Sequence, residues 1–339
     1  MNQIRIDDLP WEEICSPGRK FHSFYKNLSV ALGGVRNAGP GGGGHPFDLQ
    51  LRRIPPGASV CPFHAHLGQW ELFVVRSGTG TLRVPEGMQA VKPGDVFVHP
   101  PGEPHQLTNS GAADLEVFIV ADNPPLDACY YPDSDKWALR PPGKIFRLTE
   151  VDYLDGEETP VAGAQPYRPS AAPAPPPATP FAQRKLHPDD LSWESWHSPK
   201  GKYRESYKDI SGALGDVLNG WPRAGHPFNL TLSRVLPGQA VCPFHSHATQ
   251  WELFIILAGT GTVRAADQRQ AVTTGDVFLH PPGEPHQIIN SGTADLEFYL
   301  IADNPPVDVW HYPDSNKWGL RAPRKIFRMA EADYWDGEE

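Results

Sequence analysis

Apolar positions along the chain fall in short runs, and the runs come back. "FDLQLRRI" (47–54), "WELFVV" (70–75), "TLRV" (81–84), "DVFVH" (95–99) and "LEVFIVAD" (115–122) are β-rich or alternate in polarity. Gly, Pro and Asn turns separate them, which is the pattern of strands rather than helices. Many short strands at even spacing predict an all-β sandwich or barrel. Short helices accompany the strands, one of them predicted at "DDLPWEEI", with Asp7 or Asp8 available to cap its first turn.

The whole pattern is written twice. "WEEICSPGRKFHSFYKNLSVALG" (from Trp11) matches "WESWHSPKGKYRESYKDISGALG" (from Trp193), and "GDVFVHPPGEPHQLTNSGAADLE" (from Gly94) matches "GDVFLHPPGEPHQIINSGTADLE" (from Gly275). From His45 onward the offset stays at 181, so loop lengths agree to the end. A repeat this long is a duplicated domain, since solenoid repeats run to only about 20–50 residues. The expected division is an N-terminal domain at 1–158, a linker at 159–180 and a C-terminal domain at 181–339. The linker holds eight prolines and almost no apolar bulk. Such a segment is a semi-extended spacer reaching up to roughly 70 Å.

Composition narrows the partners. With 339 residues and a net charge of -10, the chain fits two acidic domains and gives no reason to expect nucleic acid or an anionic membrane as partner. No apolar run nears the roughly 18–20 residues that span a bilayer. The start, "MNQIRIDDLPWEEICSPG", lacks the apolar core of a secretory signal. A cytoplasmic protein is therefore expected. Its four cysteines read as reduced thiols, Cys61 and Cys242 being repeat equivalents while Cys15 and Cys129 align with His197 and Trp310.

Candidate chemistry sits in "CPFHAHLGQWELFVV" and its copy "CPFHSHATQWELFII". Strand alternation puts His64 and His66 on one face, and a turn at Leu67-Gly68 brings Glu71 back beside them. His105 follows a turn in "PPGEPHQLTN". Three imidazoles and one carboxylate suit a divalent transition metal with positions left for water or substrate. His245, His247, Glu252 and His286 repeat the set at identical spacing, and ten of the fourteen histidines recur in register. Fe, Mn, Ni, Cu and Zn all accept such donors, one ion per domain.

These stretches resemble the two signature motifs of the cupin family. His64-Ala-His66, Glu71 and Gly78 follow the first motif, and Gly94, Pro100, Gly102, His105 and Asn109 follow the second. His245, His247, Glu252 and Gly259, then Gly275, Pro281, Gly283, His286 and Asn290, do so again. One departure is an extra residue between Gly57 and His64, and likewise between Gly238 and His245. The resemblance implies a two-domain cupin, or bicupin, made of double-stranded β-helix (jelly-roll) barrels with a metal deep in each mouth. It also implies a choice of activities: a dioxygenase-like oxidoreductase acting on a small organic acid or aromatic, a non-catalytic metal- and ligand-binding bicupin, or a phosphosugar isomerase or lyase. The partner is a small-molecule substrate or ligand, and a homo-oligomer is allowed.

Other positions carry weaker expectations. Gln69 and Gln250 share strand parity with the glutamates and are candidates to contact substrate, as are Arg83 and Arg264 after "GTGT". Trp70 and Trp251 face outward as packing residues. His99 and His280 are read as cavity acid–base groups or as buried imidazoles bonded to a backbone carbonyl. His45 and His226 anchor the start of a strand. Cys61 and Cys242 fall on the face opposite the histidines as small hydrophobes. The loop "NAGPGGGGHPF" is flexible enough for a lid, and its counterpart carries Trp221 and Arg223.

Overall fold

A computed structural model describes residues 2–141, 143–157, 159, 179–216 and 225–338. Most of the 159–180 linker, and the loop with Trp221 and Arg223, lie outside them. Each half of the chain builds the same three sheets. In the first half a seven-stranded sheet runs Lys185–Leu186, Val96–His99, Glu71–Ser77, Leu115–Asp122, Phe47–Ile54, His22–Asn27, Glu12–Cys15. Opposite lie a four-stranded sheet containing Ala65–His66 and Asp127–Tyr131, and a three-stranded sheet centred on Gly80–Val84. All neighbours are antiparallel. The result is a jelly-roll barrel, repeated in the second half with the sheet order preserved.

The large sheets are apolar on both faces. Phe73, Val75, Phe97 and Val117 point into the first barrel with Leu82 and Leu107. Their neighbours Leu72, Val74, Val96 and Val98 point out, into one cluster shared with Leu230, Leu253, Ile255, Val277 and Ile301 of the second half. The outer face of one barrel thus packs on the outer face of the other. Phe47 meets Phe228 edge-on at 6.3 Å between ring centres. Trp70 lies 5.0 Å from His226 and Trp251 lies 5.4 Å from His45. The outward tryptophans are therefore contacts between barrels, and so are the histidines expected only to anchor strands.

The halves also exchange strands. Asn2–Arg5 pairs with Asp276–Leu279 at the edge of the second barrel's sheet. Lys185–Leu186 pairs with Val96–Phe97 at the edge of the first. Each exchange covers an open sheet edge, which otherwise invites pairing with foreign strands. Phe181 goes with its strand: it is buried against Phe97 and His99 of the first barrel. The predicted helix at "DDLPWEEI" is not formed as a helix. A single 3-10 turn, Ile6–Asp8, has no side-chain cap, and Glu12–Cys15 is an edge strand paired with His22–Tyr25. Pro10 splits the segment, and Ile6 turns into the core shared by the two barrels. The short α-helices are instead Leu28–Ala31 and Ile210–Ala213, capped by Asn27 and Asp209.

Phe181 lies beyond the linker in sequence yet fills the first barrel. Phe181→Ala should cost about 3–5 kcal/mol, as for other buried phenylalanines. Chemical denaturation would check this, and a loss below about 1 kcal/mol would remove Phe181 from the core.

Candidate metal and ligand site

The candidate donors are held by backbone before any side chain matters. His64 and His105 exchange two backbone hydrogen bonds, His64 N to His105 O at 3.2 Å and His105 N to His64 O at 2.8 Å. His66 pairs with Cys129 in the adjacent strand, and Glu71 opens a strand paired with His99 and Ala121. Asn109 fastens the second-motif loop, donating to Ile54 O and Ala113 O while accepting from Gly111 N. The extra residue before His64 leaves this frame intact. Gly57 turns with φ +77°, a left-handed conformation that favours glycine, and donates to Asn109 O.

Four acceptor atoms then converge. His64 Nε2 lies 3.2 Å from His66 Nε2, and Glu71 Oε2 lies 2.8 Å from His105 Nε2 and 3.7 Å from His66 Nε2. Each ring's other nitrogen faces an acceptor: His64 Nδ1 to Pro62 O at 2.9 Å, His66 Nδ1 to Asp127 Oδ2 at 2.7 Å, His105 Nδ1 to Glu103 O at 3.2 Å. A carbonyl or carboxylate can only accept, so each Nδ1 carries the proton and each Nε2 presents a lone pair inward. Bare lone pairs this close repel unless a cation sits among them. Burial opposes a proton there, lowering the basicity of His105. Desolvation would raise the pKa of Glu71, but positive charge at the His66, His105 and His64 cluster holds it well below the usual carboxylate range, and with neutral imidazoles that charge must come from a bound cation. A divalent metal is the cation that fits this donor set.

The second barrel repeats the arrangement. His245 Nε2 and His247 Nε2 are 3.1 Å apart, and His286 Nε2 is 2.7 Å from Glu252 Oε2. Their Nδ1 atoms meet Pro243 O, Asp308 Oδ2 and Glu284 O. Burial drives His245 down to about 3. His247 is raised, because Glu252 and Asp308 outweigh its desolvation.

Asp127 and Asp308 carry no signal in the local sequence. Each orients a histidine through one oxygen and accepts a backbone N–H through the other, from Gly68 at 3.0 Å and Thr249 at 3.1 Å. His99 and His280 are buried outside the cavity wall, stacked on His105 and His286 with ring centres 4.0 Å apart. Their Nδ1 atoms meet Glu103 and Glu284 carboxylates at 2.7 and 2.9 Å, in place of the expected backbone carbonyl. Burial lowers His99 well below an ordinary imidazole and His280 to about 4. In the first barrel Arg184, brought in by the exchanged strand, forms a buried ion pair with Glu103.

The first donor cluster lines a cavity of about 370 Å³. Arg36, Arg52 and Arg140 line it too, with Asp48, Gln50 and Gln69. Arg52 donates to Ser23 Oγ at 3.2 Å and stacks over Tyr25, while its buried Nε has no hydrogen-bond partner among the described residues. Arg140 reaches Asp127 at 3.3 Å. Gln69 lines the cavity as expected, anchored by its Nε2 to Asp122 O at 2.5 Å; Gln250 makes the matching bond to Asp303 O at 2.7 Å. Arg83 and Arg264 are brought elsewhere. Each is clamped by an exposed aspartate, Asp133 at 2.7 and 2.9 Å and Asp314 at 2.7 and 2.8 Å, over Phe63 and Phe244. Leu82 and Val84 fill the barrel from the same strand, so Arg83 between them faces outward. Cys61 departs from its expected place: the irregular chain at 60–63 turns its thiol into the cavity, 3.4 Å from His64 Nδ1. Burial pushes that thiol up to about 12.

Comparison with known proteins agrees with this geometry. The cupin domain model matches residues 50–121 and again 231–302. The chain is a two-domain cupin. It is 27% identical over 147 residues to auxin-binding protein 1 of Arabidopsis thaliana, covering 41% of this chain and 69% of that protein. It is 35% identical over 68 residues to an oxalate-binding protein of Thermotoga maritima, covering 20% and 55%. Among solved structures it resembles oxalate decarboxylase of Lactobacillus farciminis in its formate complex, with TM-score 0.53, 15% identity and coverage of 90% and 86%. Oxalate decarboxylase of Bacillus subtilis gives TM-score 0.52 at 17% identity, covering 91% and 78%. Those two likenesses concern the fold alone. Among the described residues, no helix is long and apolar enough to cross a membrane.

Asp127 fixes the tautomer of His66, so Asp127→Asn should weaken metal retention in the first barrel by roughly 10–100-fold. The second barrel should be unaffected. Competition against a coloured chelator would check this, and two unchanged affinities would show that Asp127 does not act through His66.

Proposed function

We propose that His64, His66, Glu71 and His105 hold one divalent transition metal, and His245, His247, Glu252 and His286 a second. We infer that the first barrel is the active site of a metal-dependent enzyme acting on a small organic acid, of oxidoreductase type. The observation that carries the substrate class is Arg52. A guanidinium that lines the same cavity as a metal-type donor cluster, with one Nη held by Ser23, matches a carboxylate. The activities for which the relatives are named, oxalate binding and oxalate decarboxylation, point the same way.

A bound ion of this type supplies a Lewis acid and, where redox-active, an electron exchange with dioxygen. The chain's own residues do the rest. Arg52 and Arg36, both over Tyr25, present fixed positive charge to the substrate's carboxylate. Gln69 and Gln50 offer neutral hydrogen bonds beside it, and Phe73, Leu107 and Ile119 keep the wall dry. Dryness strengthens each charge–charge contact. Cys61, held as the neutral thiol by burial, adds no competing negative charge.

The three cavity arginines also favour a second reading, a phosphosugar isomerase or lyase, since phosphate takes the same guanidinium contacts. Purified protein should carry two ions per chain by elemental analysis, and His64→Ala/His66→Ala should remove one. Loaded in turn with Mn, Fe, Ni, Cu and Zn, it should turn over a small carboxylate such as oxalate, followed by CO2 release and oxygen uptake. Arg52→Ala should raise KM at least about 10-fold, the worth of one charge-assisted bond. Oxygen uptake marks the oxidoreductase; CO2 release without net uptake marks a decarboxylase. Turnover of sugar phosphates alone would establish the second reading instead, and ligand binding without turnover a non-catalytic bicupin.

A further inference from the structure

The two barrels share donors but not the wall that faces them. In the first, Ile14 pairs with Ser23 across one strand boundary and Tyr25 pairs with Arg52 across the next. In the second, Trp196 pairs with Glu205 and Tyr207 with Ser233 in the same register. Ile14, Ser23 and Arg52 are therefore replaced, position for position, by Trp196, Glu205 and Ser233. The guanidinium becomes a hydroxyl, and a carboxylate appears on the adjacent strand. Glu205 Oε2 accepts from Trp196 Nε1 at 3.2 Å. Two residues before Tyr207, which pairs with Ser233, Glu205 lies on the same sheet face as Ser233, and burial raises its pKa.

The remaining wall loses charge of both signs. Asp48 and Gln50 correspond to Asn229 and Thr231, and Arg36 aligns in sequence with Leu218. Arg140 alone keeps its charge, as Arg321, whose Nη1 is 3.5 Å from Pro305 O. The first cavity sets three guanidinium groups against Asp48 and Glu71. At the corresponding described positions the second sets Arg321 against Glu205 and Glu252. In a low-dielectric pocket, an added carboxylate repels an anionic ligand where an arginine attracts one.

We propose that the second barrel is a separate ligand site of opposite charge preference, in which Glu205 and Ser233 exclude carboxylates and receive a ligand bearing hydroxyl or amino donors. The exclusion rests on reading the first barrel as a carboxylate site only for its contrast, since Glu205 acts without it. One metal-dependent fold thus presents two specificities, with Arg52 and Glu205 as the determining residues.

The test is an oxalate titration of the full-length, Mn(II)-loaded protein by calorimetry, with metal content checked. Wild type should bind one equivalent per chain. Arg52→Ser should weaken that event at least about 10-fold, the loss of one charge-assisted contact. Glu205→Ser/Ser233→Arg, retaining both ions, should bind a second equivalent. Two equivalents in wild type, or no gain in the double variant, would overturn the proposal. If wild type binds none while Glu205→Ser/Ser233→Arg gains one, the exclusion by Glu205 stands and the carboxylate reading of the first barrel fails. Ethanolamine offered as the complementary probe should bind wild type in a manner lost in His245→Ala/His247→Ala but retained in His64→Ala/His66→Ala; the reverse pattern would also overturn the assignment.

Discussion

The central strands of the large sheets have no solvent face, and most of the architecture follows from that. Leu49, Leu51, Leu72, Val74, Val96 and Val98 on one side, and Leu230, Leu253, Ile255, Val277 and Leu279 on the other, form one continuous cluster between the barrels. At about 25 cal/mol per Å² of apolar area, a contact of this extent dominates any polar pairing at its rim. The exchanged edge strands reinforce it, because Asn2–Arg5 and Lys185–Leu186 each tie one half's chain to the other half's sheet. The chain is thus two barrels by repeat and one body by packing.

That constraint reaches the candidate site. With the outer face claimed by Leu49 and Leu51, the alternating positions Asp48, Gln50 and Arg52 must face the cavity. The strand carries its leucines away from its own barrel and its polar groups into it, the reverse of a sheet with one wet face. Phe73 and Phe97 pack under the histidines beside the buried His99, and Phe181 closes this floor with a side chain from beyond the linker. Rings stacked at 4.0 Å behind His105 and His286 leave those imidazoles little room to rotate. Such rigidity is what a set of converging donors requires.

This inversion also explains what sequence can and cannot show. The all-β class, the duplication and the His/Glu clusters depend on local spacing, so they are legible. "FDLQLRRI" holds two adjacent arginines, and periodicity alone gives no reason to turn Arg52 inward and Arg53 outward to Glu116. Arg83 looks the better candidate in sequence because it follows a recognisable turn, yet its parity is set by Leu82 and Val84 in the core. Asp127 stands 61 residues from His66, and only the pairing of Ala65–His66 with Cys129–Tyr130 brings them together. "NQIR" is too short and polar to announce a strand, since its partner lies some 270 residues away. Strand alternation misplaces Cys61 because the segment that carries it is not a strand.

A duplicated barrel of this kind separates stability from specificity. On the strand pair Phe47–Ile54 and Phe228–Val235, the outward leucines agree between copies: Leu49 with Leu230 and Leu51 with Leu232. The inward residues differ at every step, Asp48 to Asn229, Gln50 to Thr231 and Arg52 to Ser233. Changing an inward residue alters only a solvent-sized space, whereas truncating an outward leucine opens a cavity costing about 2–5 kcal/mol. The donors are constrained for a different reason, because removing one leaves the remaining lone pairs and Glu71 or Glu252 buried without full compensation. Packing therefore fixes one face of each strand, converging acceptors fix its end, and only the wall between them is free to vary. Arg52 and Glu205 lie in those walls, one in each barrel and on strands that are neighbours within the repeated unit, where a change of charge leaves the outward leucines of the inter-barrel contact in place.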